Sequence, residues 1–123
     1  MQEFLAKMRE YLKMDSEIAY EEFNQYYKKV MEYLQKEFDQ LEEDALVAMA
    51  GICQILFLNA ESRGSRKNEA NMKKFRKMAE KSRFWFDALA LRLNKQYGLD
   101  NEALEKAIEE LWGDDEEEAT VAE

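Results

Sequence analysis

With 123 residues, 46% of them hydrophobic and 12% aromatic, the chain has room for one domain and is too apolar to be disordered. Proline is absent and glycine occurs four times, which argues against a loop-rich fold and favours long helices. The net charge of −9 conceals a division: residues 1–60 carry −6, residues 61–96 carry +7 and residues 97–123 carry −10, so an acidic protein has a basic middle segment.

In chain order, Phe4, Leu5, Met8 and Leu12 recur at helical spacing and predict a first helix over 2–14. Asp15 or Ser16 offers a capping oxygen for a second helix over 17–38. Phe23, Tyr27, Val30, Leu34 and Phe38 would form its core stripe, with Tyr20, Tyr26 and Tyr33 beside it.

Asp39 and Glu42 resemble a capping box that starts a third helix near Gln40 and runs it through Ala60. No Gly or Pro separates helices two and three, so one bent helix over 16–60 is the alternative. Within the third helix, thirteen of the sixteen residues Ala45 to Ala60 are apolar. A helix apolar on every side is a buried one. Leu46, Ile52, Ile55 and Leu56 are therefore expected in the core. The run is shorter than the ~20 residues of a membrane span and is bracketed by Asp44 and Glu61, which favours a core helix without membrane contact.

A loop is expected over 61–68, centred on Gly64. A fourth helix would begin between Ser65 and Asn68 and end at Tyr97, closed by Gly98. Asp100 would cap a fifth helix, flanked by Leu99 and Leu104 as a hydrophobic staple, and Gly113 would end it. The fold expected is an all-α, antiparallel helical bundle of four to five helices over 1–113, with a disordered acidic C-terminal tail over 114–123. No internal repeat points to a solenoid.

Catalytic chemistry is poorly represented. There is no histidine, which removes the commonest general base, histidine-containing metal sites and Ser-His or Cys-His pairs. The single cysteine, Cys53, lies in the apolar run and suits a small core residue in a reducing, cytoplasmic setting. The residues after Met1 have no signal-peptide layout. Carboxylate motifs of metal-binding bundles fail as well. Ferritin-like sites need Glu-x-x-His, and the Glu-Glu-x-x-Glu of all-α nucleotide pyrophosphohydrolases is broken, because Glu21-Glu22 leads to Gln25 and Glu42-Glu43 to Leu46. No catalytic residue, metal site or cofactor is expected.

One surface carries a pattern. On the fourth helix, Met72, Phe75, Ala79, Ser82, Phe86, Leu89, Ala90 and Leu93 would face the core. Arg66, Ala70, Lys73, Lys77, Phe84, Ala88, Leu91 and Lys95 form a second stripe, basic and then apolar, with Lys81 at its rim and Trp85 between the faces. One reading of this stripe is packing within the bundle, with its lysines a solvated face; the other, taken for the function, is a non-catalytic protein-protein interaction module, a regulator or accessory subunit that meets a protein partner or its own copy as a homodimer. The alternative is a nucleic-acid-associated regulator using the basic segment 63–95.

Overall fold

The computed structural model describes residues 1–113 in full and the backbone alone of 114–122. The chain is an all-α, antiparallel helical bundle: α1 Gln2–Leu12, α2 Tyr20–Glu37, a 3-10 turn Phe38–Gln40, α3 Glu43–Gly64, α4 Met72–Tyr97 and α5 Asn101–Ala122. The α3–α4 hairpin is its most extensive packing, and α1 and α5 also lie against α3. Side chains of 114–123 and all of Glu123, where a disordered tail is expected, lie outside the described residues; the α5 backbone runs past Gly113, the expected stop.

The core agrees with the expected axis. Leu46, Ile52 and Leu56 are buried, together with Met49, Ala50 and Cys53. Ile55 is a correction: it is half-buried, turned to the side where α1 and α2 are joined. Burial also pushes the Cys53 thiol up to about 12, as expected where nothing stabilises a thiolate. Helix α3 is longer than the apolar run, at 22 residues, and by length and composition is apolar enough to cross a bilayer. In this fold half of its most apolar window is buried against the other helices.

Helix boundaries depart from local capping signals where tertiary contacts compete. Asp15 and Ser16 do not cap α2, which begins after an extended Ala19 with no side-chain cap. The linker is held from α3 and the following turn instead: Arg63 Nη1 donates to the Ile18 carbonyl at 3.1 Å and Arg66 to Glu17 at 2.6 Å. Asp39 stays in the 3-10 turn, and Glu42, not Asp39, precedes α3. Leu41 and Glu42 are extended (ψ 138° and 179°), which rules out the single bent helix. Arg92 of α4 fixes this break by donating to the carbonyls of Phe38 and Leu41. On α2, Tyr26 is buried in place of the expected Tyr27, and its hydroxyl donates to the Phe4 carbonyl at 2.8 Å.

Gly64 is not the centre of a loop. It ends α3, where a Cβ would come within 3.2 Å of Arg76 Cγ, so its role is the close approach of α3 and α4. The turn follows, with Asn68 at φ 66°, a left-handed conformation Asn tolerates. Consequently α4 starts at Met72, later than the Ser65–Asn68 window.

The α4–α5 corner follows the sequence. Gly98 adopts φ 72° and its N–H donates to the Asn94 carbonyl at 3.0 Å, closing α4 with a left-handed cap. The Asn94 side chain donates to the Leu99 carbonyl at 3.0 Å, and Asp100 Oδ1 accepts from the Ala103 N–H at 2.8 Å. Leu104 is buried as the staple requires.

Candidate interaction surface

Helix α4 has two unlike sides. Phe75, Ala79, Ser82, Leu89 and Leu93 are buried as expected, joined by Met78, while Met72, Phe86 and Ala90 are partly covered. On the outer side Phe84 and Leu91 are 63% and 57% exposed. Ala88 between them is half-buried. Trp85 does not share this exposure: it is half-buried, with Phe38 on one side and Phe84 on the other, each ring centre 5.5 Å away. Its indole N–H is buried without a hydrogen-bond partner. Trp85 therefore wedges the exposed stripe against the α2–α3 linker.

The structure divides the basic segment by residue type. Its arginines are engaged within the fold. Arg63, 7% exposed, lies over the rings of Phe75 and Phe23 at 4.5 and 5.5 Å, and its Nε lies 3.7 Å from Glu17. Arg76 donates to the Gly64 carbonyl, Arg83 pairs with Asp87 at 3.1 Å, and Arg92 holds the α2–α3 linker. Arg66 is a correction: it lies in the turn before α4 and pairs with Glu17, so it is not part of the helical stripe. The hydrogen bond from Arg66 holds the Glu17 carboxyl below its ordinary range. Among the described residues, Lys73, Lys77, Lys81 and Lys95 are exposed with no acidic partner. They run along the outer side with Phe84 and Leu91.

Sequence inspection did not find the groove beside this stripe. It occupies about 790 Å³ between α3, α4 and α5. Leu58, 53% exposed, and Phe57 contribute from α3, Ala90 and Leu91 from α4, and Leu104 and Ile108 from α5. Asn101 and Glu105 of α5 and the preceding Asp100 border it. Leu58 belongs to the all-apolar run, so no periodicity distinguishes it from its buried neighbours. A smaller cavity of about 280 Å³ lies under the α1–α2 linker, lined by Met8, Tyr11, Ile55 and Arg63 among others. No group of three or more Cys, Asp or Glu residues suited to a metal ion occurs among the described residues. The chain matches no family model, no curated protein and no solved structure.

Proposed function

We propose that the chain is a small non-catalytic protein-interaction module, a regulator or accessory subunit, whose contact surface is the outer side of α4. The observation that carries this reading is the exposure of Phe84 and Leu91, seven residues apart on a helix whose other side is buried. A helix packed on one side is ordinarily polar on the other, and neighbouring exposed apolar groups mark contact surfaces. Lys77, Lys81 and Lys95 rim the apolar centre, and Leu58 extends it across the groove. An apolar centre with a polar rim is the usual composition of a protein interface.

The unpartnered lysines favour a second reading, a nucleic-acid-associated regulator. Its weight is reduced because the arginines of the segment, the side chains best shaped for phosphate, are engaged within the fold.

Affinity capture from the native cytoplasm tests the proposal, comparing wild type with the Phe84→Glu/Leu91→Glu variant. The variant is expected to stay helical by circular dichroism and to lose the wild-type complexes. A folded variant that captures the same complexes overturns the reading. Complexes lost only on charge reversal of Lys73 and Lys77, and abolished steeply by salt, would favour nucleic acid.

A further inference from the structure

We propose that the partner seated on the outer side of α4 is a second copy of this chain, packed antiparallel about a two-fold axis beside Ala88. The inference rests on the interaction reading and adds an occupant and a register. The argument is charge complementarity between α4 and the groove at its side. The first half of α4 carries Lys73 and Lys77 on the outer side, whereas the groove beside its second half is bordered by Asp100 and Glu105. In a two-fold pair the same patch must match itself end for end.

Placing Phe84 against Leu91 of the mate, and Leu91 against its Phe84, satisfies both apolar residues at once. With a rise of about 1.5 Å per residue, Lys77 then lies about 10 Å from this contact, level with Gly98 of the mate. Within α4 the same register sets Glu80 level with Lys95 of the mate. Asp100 and Glu105 border the same groove as Leu91, so these acids stand on the side where the mate's basic half arrives. Ala88, the small residue between Phe84 and Leu91, falls at the crossing, where a short side chain lets two helices approach. A parallel arrangement would instead lay Lys73 and Lys77 beside their own copies, which repel. Nucleic acid meets the basic half of the surface, but it leaves Phe84 and Leu91 uncovered and faces the acids of α5.

The test is sedimentation of the full chain, supported by a site-directed cross-link. Wild type is expected to form dimers at roughly 100 μM, well above a micromolar Kd. The Phe84→Glu/Leu91→Glu variant should be a folded monomer. Lys73→Glu/Lys77→Glu should weaken the dimer about tenfold, the sum of several rim charge pairs, and adding Glu105→Lys, at the groove beside Leu91, should restore part of that loss. Under mild oxidation Ala88→Cys should cross-link to its own copy, while Ala6→Cys, exposed on α1, should not; Cys53 is buried and does not compete. A wild type that stays monomeric overturns the second-copy proposal; if the Phe84/Leu91 variant still loses a different protein partner, the interaction reading survives it. A dimer that persists in the Phe84/Leu91 variant overturns the second-copy proposal for α4, and the interaction reading falls with it when that variant also keeps every other wild-type complex. A dimer that dissociates in that variant but neither responds to the charge exchange nor cross-links through Ala88→Cys overturns the register proposed here.

Discussion

Helices α3 and α4 pack against each other along the hairpin, yet they meet water differently. Helix α3 is covered by α1 and α5 as well as α4, and most of its apolar side chains between Leu46 and Leu56 are buried. Helix α4 packs chiefly on α3 and only lightly on α2, and its outer side stays open. Exposed apolar groups occur on both, Leu58 on α3 and Phe84 and Leu91 on α4. Apolar content alone therefore does not decide burial; the number of neighbouring helices does. The largest effect expected from this contrast is at the centre of α3. Leu56→Ala should cost about 2–5 kcal/mol, the range for a core cavity. Ile55→Ala, one residue along the same helix but half-buried, should cost about 1 kcal/mol, because little cavity is left behind. Urea denaturation compares the two; equal losses would show that α3 is enclosed all round.

The next effect concerns the arginines that fasten linkers to the hairpin. Arg63 supplies the Ile18 carbonyl with its donor and lies over Phe75 and Phe23. Arg63→Ala should cost about 2 kcal/mol, from a lost hydrogen bond to a charged donor and lost packing of the side-chain stem. Arg63→Lys should recover little, since an ammonium offers no planar fork to lie on a ring. A drop in stability confined to the alanine variant would mean that charge, and not the guanidinium shape, holds the linker.

These arginines also show where the sequence was legible and where it was not. The α4–α5 corner could be read because Gly98, Asp100, Leu99 and Leu104 act within a few residues of one another. The inner and outer stripes of α4 were legible for the same reason, since helical periodicity is local. The α1–α2 and α2–α3 linkers were not. Their geometry is fixed by Arg63 and Arg92, 45 residues from Ile18 and 51 from Leu41, and such partners override Asp15, Ser16 and Asp39 as caps. Ile55 and Leu58 were misjudged or missed because a run apolar on every side has no phase to read. The groove depends on how three helices meet, and only the fold shows it.

A smaller, pH-dependent effect separates the covered region from the open one. Burial first of all raises Tyr11 and Tyr27 to about 12, and Tyr26 and Tyr33 are also raised. An acid whose folded pKa is raised stabilises the fold below its unfolded value and loses that contribution as pH climbs to the folded one. Stability should therefore decline from about pH 10, the ordinary tyrosine value, toward pH 12. Glu17 acts in the opposite sense. Its lowered pKa contributes above the ordinary carboxylate value of 4.5 and is lost as pH falls below it. Thermal melts at intervals of pH check both limbs, with the alkaline limb the steeper because the buried Tyr26 and the partly covered Tyr11, Tyr27 and Tyr33 share it. Stability unchanged between pH 9 and 12 would contradict the burial of the tyrosines.

The smallest effect on folding is expected where the sequence pattern first drew attention. Glutamates at Phe84 and Leu91 enter water, because both positions are more than half exposed. Surface substitutions away from caps and buried networks usually change stability by about 0.5 kcal/mol or less. The double variant should unfold in urea close to wild type when both are compared at concentrations low enough to keep wild type unassociated. Leu89→Glu, on the buried side of the same helix, should instead unfold the domain, since a carboxylate would enter the core without a partner. Phe84 packs on the half-buried Trp85, whereas Leu91 borders the open groove, so Phe84→Glu should account for most of any loss and Leu91→Glu for little. Near-indifference to both charges, set against collapse at Leu89, would establish α4 as a one-sided helix. A double variant as damaged as Leu89→Glu would mean that the outer stripe is held inside the fold, and the contrast between α3 and α4 would disappear.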